Sequence, residues 1–331
     1  LKEEIEHPMK SLSQCQHLII EAIEDFTGHN GKGELYAPIN YIMNIGGKRM
    51  RPALLLMACD LFGGDVLKAL KPALAIEVFH NFTLMHDDIM DEAPMRRGKK
   101  SVHKKWDTNS AILSGDAMMV QAYQLISETP DKHLKPVLQV FSDTAIAVCE
   151  GQQLDMDFEN RKDVAIHEYL EMIRLKTSVL VAAALKIGAI IAGASQRDQE
   201  HAYFFGEKIG MAFQLRDDYL DVFGEEDKVG KQTGGDILSD KKTYLLLRAR
   251  QKASPEQLEK LNKLNGNNKD QKEKVNQTIE IFRDLDVDHE LIEKSEMYFA
   301  EAMTHLNSIK IEEERKIQLQ LFAEKLMIRE S

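Results

Sequence analysis

Cysteine is the first thing this chain has little of. Cys15, Cys59 and Cys149 are the only three in 331 residues. Their odd number, wide spacing and lack of any CxxC pair exclude a disulfide framework and a thiolate zinc site, and point to a reducing, cytoplasmic setting. Positive charge is also short. With 43 Lys+Arg against 54 Asp+Glu, the net charge of −11 has the wrong sign for a nonspecific grip on a nucleic-acid backbone, although a local basic site stays open. Eight prolines and a single tryptophan fit a helical protein better than a sandwich or barrel, whose turns consume Gly and Pro. No apolar run reaches the roughly 18 residues that a membrane-spanning helix needs. The longest, Val179 to Ala194, is interrupted by Lys186 and reads as a buried core helix. No cationic segment followed by an apolar run opens the chain, and Leu1 in place of an initiator Met suggests a start that has been trimmed or replaced.

Helical periodicity is what the sequence does have. Apolar residues recur at spacings of three and four, as in Val66, Leu67, Leu70, Leu74 and Val78, and sustained period-two alternation is hard to find, so the fold class reads as all-α. Pro52, Pro72, Pro130, Pro136 and Pro255 are expected in first turns, where a missing N–H costs little. Breaker clusters fall at Gly28 to Gly33, Gly46-Gly47, Ala93 to Gly98 and Val229 to Asp240, and the polar stretch Lys263 to Gln271 reads as a loop between late helices.

One short pattern occurs twice. Asp87-Asp88-Ile89-Met90-Asp91 and Asp217-Asp218-Tyr219-Leu220-Asp221 are both DDxxD. On a helix the first and last aspartates share a face one turn apart, so Asp87 with Asp91, and Asp217 with Asp221, can share one ligand. Like charges at that spacing destabilise a helix by a few tenths of a kcal/mol, which calls for a compensating cation. Hard oxygen donors without His or Cys select Mg²⁺. A lone DDxxD would read as a solvated acidic face, but two copies, each within an apolar helix, do not.

Basic residues gather near both clusters. Gly46-Gly47-Lys48-Arg49-Met50-Arg51-Pro52 is a glycine turn that delivers three cations to a helix start, a favourable place for a phosphate. Arg96-Arg97-Gly98 follows the first cluster, Lys176-Thr177 interrupts an apolar helix, and Lys231 and Lys241 follow the second cluster. A nucleotide P-loop is rejected: Gly224 to Lys231 has one residue too many, and Gln232 stands where Ser or Thr would hold the metal.

In this order the motifs resemble those of the trans isoprenyl diphosphate synthases, the polyprenyl synthetase family. The resemblance runs from about Ile39 to Thr243, through GGKRMRP, HNFTLMHDDIMDEAPMRRG, KTS, and FQLRDDYLDVFG to GGDILSDKKT. It implies a single domain over residues 1–331, an orthogonal helical bundle of isoprenoid-synthase type around a deep central cavity. The motif-bearing core would cover about 35–250 and the C-terminal helices about 255–328, with the protein usually homodimeric. It further implies that Asp87, Asp91, Asp217 and Asp221, helped by Asp88 and Asp218, hold about three Mg²⁺ against an allylic diphosphate. Arg96, Lys176, Thr177, Lys231, Lys241 and nearby Gln214 would bind that diphosphate, and Lys48, Arg51, His80 and Arg97 would bind isopentenyl diphosphate. His86 is left as a packing residue. With each diphosphate near −3, the two substrates, six aspartates and seven cations sum to about −5, which about three Mg²⁺ would neutralise.

The reaction implied is dissociative: the allylic C–O bond breaks, the isopentenyl alkene attacks C1, and a proton leaves C2 for departing pyrophosphate. Phe82 lies five residues before Asp87, Thr83 four and Phe79 eight, so the side chains of this helix are expected to floor the cavity. An aromatic at the fifth position with an uninterrupted DDxxD resembles synthases of the geranylgeranyl (C20) type, with farnesyl (C15) as the alternative. A class I terpene cyclase would carry an Asn/Ser/Glu second site, head-to-head synthases carry DxxxD pairs, and a noncatalytic subunit commonly loses one cluster. None of these fits as well.

Overall fold

A computed structural model describes residues 9–224, 234–266 and 270–328. The described residues are helical almost throughout. The helices are α1 (Leu12–His29), α2 (Tyr36–Asn44), α3 (Met50–Leu61), α4 (Val66–Met90), α5 (Val102–Lys105), α6 (Thr108–Ser127), α7 (Asp131–Asn160), α8 (Ile166–Ile173), α9 (Val179–Ile191) and α10 (Gln196–Phe223). After these come α11 (Gly235–Leu238), α12 (Tyr244–Lys252), α13 (Pro255–Leu264), α14 (Gln271–Asp284), α15 (Val287–Ser308) and α16 (Glu313–Met327). Among the described residues the one departure from all-α is a ribbon of two residues per strand, in which Met95–Arg96 pairs antiparallel with Lys99–Lys100.

The contacts divide the chain into two compact units. The first comprises residues 1–145, 180–203 and 307–319. Its centre is α3, buried at nearly every position from Pro52 to Leu61, and α4, buried continuously from Pro72 to Phe79. Helices apolar on every side must be surrounded by others, and each fully buried Leu contributes about 1.5–3 kcal/mol. The carbonyls at the end of α3 are capped from a distance by Arg315, whose Nε donates to the Leu61 carbonyl at 2.8 Å. Cys15 and Cys59 are fully buried here, and burial pushes both thiols up to about 12, so they are inert packing groups.

The second unit comprises residues 146–179, 204–306 and 320–331. Its core gathers Tyr169, Ile173, Leu215, Leu245, Phe282 and Leu291. Between α8 and α9 the backbone forms a π-helical turn, Arg174–Ser178.

Two prolines depart from expectation. Pro72 and Pro136 lie inside α4 and α7, beyond the first turn. Each helix carries on past its missing N–H because its packed neighbours outweigh one lost hydrogen bond, whereas Pro255 opens α13 as expected.

Candidate active site

In the first unit, three closely spaced residues with positive φ deliver the basic motif: Gly46 at 104°, Gly47 at 131° and Arg49 at 46°, flanking Lys48. Gly47 is required twice over, by its φ and because a Cβ there would lie 2.5 Å from Nη1 of Arg97. Arg97 donates to the carbonyl of Gly46, which ties the ribbon to this turn. Arg51, on the first turn of α3, donates from Nη1 to Nε2 of His80 at 3.3 Å. Because a guanidinium has no acceptor, that nitrogen of His80 is unprotonated. Burial, reinforced by Arg51, Arg97, Arg96 and Arg49, holds the imidazole well below its ordinary range. Burial and then Arg49 likewise lower Arg97. Burial and the neighbouring guanidinium groups thus disfavour positive charge on both His80 and Arg97, a penalty that a bound anion would relieve.

Of the three cations expected to be delivered by this turn, Arg49 is not available. Its side chain turns inward and is spent on Glu77 and the Met43 carbonyl. Lys48 is exposed and Arg51 half-buried.

The first aspartate cluster closes α4. Asp87 is half-buried, Asp91 exposed, and Asp88 only 1% exposed. Arg96 holds Asp88 through its Nε at 2.9 Å and also through its Nη2, and its Nη2 lies 3.5 Å from Asp87. The other oxygen of Asp88 is buried without a partner. Burial raises the Asp88 carboxyl and Arg96 opposes it. His86 packs edge-on against Phe82 at 4.8 Å, over Gly115, in the packing role expected of it. Phe82 and Phe79 pack with their rings tilted at 53° and centroids 5.6 Å apart, both buried, and Thr83 turns its hydroxyl back to the His80 carbonyl at 2.8 Å.

In the second unit, the π-helical turn presents Lys176 and Thr177. Gly151 lets α7 pass directly beneath: a Cβ there would lie 2.4 Å from the Lys176 backbone nitrogen. Such single-turn bulges concentrate at functional sites. Lys176 donates to Asp155 at 2.6 Å, and Thr177 donates to Gln214 at 3.4 Å. Gln214 in turn donates to Asp218 at 3.1 Å, and the Tyr169 hydroxyl donates to the other oxygen of Asp218. Asp218 is 4% exposed, and burial followed by the neighbouring charge of Asp236 pushes its carboxyl up to about 8. Asp217 and Asp221 are half-buried. One oxygen of Asp221 accepts the backbone N–H of Asp236 at 2.9 Å, which fastens the start of α11 to the cluster. Lys241 follows Asp240, a left-handed residue at φ 54° anchored by the buried Lys274 at 2.7 Å. These groups line a polar cleft that includes Asp155, Tyr169, Lys176, Gln214, Asp218 and Lys241. Lys231 lies outside the described residues.

Both clusters offer only carboxylate oxygens, and a buried acceptor remains open on Asp88, so the donors suit a hard divalent cation. Sequence reading missed Glu77, Asp155, Tyr169, Asp236, Lys274 and Gly151. All act through another residue, and no spacing pattern marks such residues.

The polyprenyl synthetase family model matches residues 32–282. The geranylgeranyl diphosphate synthase of Methanosarcina mazei is 43% identical over 70% of this chain and 72% of its own. A crystal structure of a geranylgeranyl pyrophosphate synthase superposes with a TM-score of 0.91 at 42% identity, covering 98% of this chain and 100% of that one. The Corynebacterium glutamicum geranylgeranyl pyrophosphate synthase, solved with isoprenyl diphosphate and magnesium, superposes with a TM-score of 0.84 at 25% identity, over 98% and 99% of the two chains. The chain belongs to the polyprenyl synthetase family of prenyltransferases.

Proposed function

We propose that this prenyltransferase condenses isopentenyl diphosphate head-to-tail with an allylic diphosphate, its 331 residues acting as one catalytic domain, and makes mainly geranylgeranyl diphosphate. The observation that carries the reading is the crowd of guanidinium groups around a neutral His80, about two turns before an aspartate cluster whose middle member is already held by Arg96. Lys48, Arg51, His80 and Arg97 bind the isopentenyl diphosphate. Arg96, Lys176, Thr177, Gln214, Lys231 and Lys241 bind the allylic diphosphate. Mg²⁺, about three ions held by Asp87, Asp91, Asp217 and Asp221, would supply the Lewis acidity that helps the diphosphate leave. Asp88 and Asp218 orient their neighbours. The allylic C1–O bond breaks, the isopentenyl alkene attacks C1, and the proton from C2 goes to the released pyrophosphate. Apolar walls keep water from quenching the cation.

Phe82, backed by Phe79 with Thr83 beside it, is assigned as the floor that stops growth at C20 rather than C15. The names of the relatives favour the same length. A homodimer in the cytoplasm completes the proposal. Ile112, Leu113 and Val120 are exposed apolar residues on α6, a surface that a second copy would cover. Among the described residues no helix is long and apolar enough to cross a membrane.

The test supplies purified protein, Mg²⁺ and isopentenyl diphosphate with dimethylallyl, geranyl or farnesyl diphosphate in turn, and chromatographs the dephosphorylated products. C20 should dominate, and Phe82→Ala should lengthen it. Absence of pyrophosphate release would overturn the function, and unchanged length in Phe82→Ala would overturn the floor. Light scattering that returned a monomer mass at micromolar concentration would remove the dimer.

A further inference from the structure

We propose that Glu77 is a positioning residue for the isopentenyl diphosphate subsite, acting by clamping Arg49 and so fixing the turn from which Lys48 and Arg51 work. The inference rests on the reading above that these two cations bind that substrate.

Glu77 is 2% exposed and Arg49 7%, so each would be an uncompensated buried charge without the other. Nη1 of Arg49 donates to Oε1 of Glu77, and Nη2 donates to the carbonyl of Met43 at the end of α2. Asn81 fixes the carboxylate from the next turn of α4: its Nδ2 donates to Oε1 of Glu77 at 2.9 Å and to the Glu77 carbonyl at 2.8 Å. The clamp therefore joins α2, the turn and α4, and it meets α4 one turn before His80, the partner of Arg51.

The backbone gives the clamp something to hold. Arg49 sits at φ 46° and ψ 37°, a left-handed conformation disfavoured for a residue with a Cβ. No side chain caps the start of α3 at this residue. Released from Glu77, Arg49 would relax toward right-handed backbone and carry its flanking neighbour Lys48, and Arg51 two residues on, away from their places. Glu77 also adds the negative charge that partly offsets the repulsion felt by Arg97. A small displacement of binding cations is costly, since an error of about 1 Å in placement can cost about 100-fold.

The experiment compares the full-length wild type with Glu77→Gln, which keeps shape and removes charge. In Glu77→Gln the KM for isopentenyl diphosphate should rise by about 10- to 100-fold while the KM for the allylic diphosphate stays within about twofold. Calorimetry with isopentenyl diphosphate alone should show the same weakening. Arg49→Gly, which relieves the strain but removes the anchor, should raise the same KM. Adding Glu77→Gln to it should raise it no further, because the two residues act as one unit. If Glu77→Gln does not fold, Arg49→Gly and the conservative Arg49→Lys carry the test. A rise in both KM values together, or a loss of thermal stability with both KM values unchanged, would overturn the positioning role. Turnover by the wild type with an unchanged isopentenyl KM in the variants overturns this inference alone, whereas a wild type without turnover overturns the functional reading beneath it.

Discussion

The two DDxxD clusters share their letters and differ in how the protein balances them. In each, the middle aspartate is buried, Asp88 at 1% and Asp218 at 4% exposure. Asp88 meets the fixed positive charge of Arg96. Asp218 meets a phenol and an amide, Tyr169 and Gln214, with the acidic Asp236 nearby, and its carboxyl is pushed up to about 8. A guanidinium opposes the upward push of burial with a full charge, whereas a phenol and an amide stabilise a carboxylate only modestly. Asp88 thus has a guanidinium as counter-charge, whereas the groups that Asp218 meets in the polar cleft, Tyr169 and Gln214, are neutral donors.

The largest expected effect treats the clusters alike. Asp87→Ala and Asp217→Ala each remove an outer carboxylate and should reduce turnover by at least about 10²–10³-fold with the fold intact, the scale of losing one electrostatic stabiliser. Pyrophosphate release under saturating substrate and Mg²⁺ measures it. Near-normal release in either variant would mean that only one cluster is used.

The middle aspartates should separate the two. Asp88→Asn strands Arg96 and should cost about 1.5–3 kcal/mol of stability, the worth of a hydrogen bond between charged groups, read from denaturant unfolding. Asp218→Asn should behave in the opposite way in metal-free protein. A carboxyl raised to about 8 in the folded state binds a proton that the unfolded chain, with an ordinary Asp near 3.8, has already lost. Its contribution to stability is therefore full below about 4 and is lost as pH rises toward 8. Subtracting the melting profile of Asp218→Asn from that of the wild type should isolate this decline, and added Mg²⁺ should shrink it. A flat difference would show that Asp218 is ionised throughout, like a paired carboxylate. Tyr169→Phe comes next in size. It removes the hydroxyl donor to Asp218 and should steepen the pH dependence while raising the Mg²⁺ needed for half-maximal turnover by several fold.

The parts of this comparison legible in the sequence are those whose chemistry repeats at helical spacing. Asp87 with Asp91 and Asp217 with Asp221 announce themselves by the i, i+4 rule, and GGKRMRP by its glycines. Fold class followed from the three-to-four periodicity, and among the described residues the short ribbon at Met95–Lys100 escaped it, since two residues per strand give no alternation to read. The asymmetry between the clusters was hidden because it is made by residues distant in sequence: Tyr169 lies 49 positions from Asp218. The fate of Arg49 was hidden for the same reason. Lys48, Arg49 and Arg51 look equivalent in a string, and only burial against Glu77, 28 positions on, sets one apart.

Thr177 offers the smallest and most discriminating contrast. Its hydroxyl donates to Oε1 of Gln214 at 3.4 Å, a long bond, and thereby turns the amide so that its Nε2 faces Asp218 at 3.1 Å. Nothing of the kind is needed at Asp88, because every nitrogen of Arg96 is a donor and no orientation can be wrong. Thr177→Val keeps the shape and loses the hydroxyl, so Gln214 becomes free to flip its oxygen toward Asp218. If Thr177 acts only through Gln214, the loss should be that of one neutral hydrogen bond, about 0.5–1.5 kcal/mol or roughly a 2- to 10-fold weakening of Mg²⁺ dependence, and Thr177→Ser should restore it. The KM for the allylic diphosphate decides the matter. A change within about twofold fits an orienting hydroxyl, while a rise well beyond tenfold that Thr177→Ser repairs would place the Thr177 hydroxyl on the diphosphate itself.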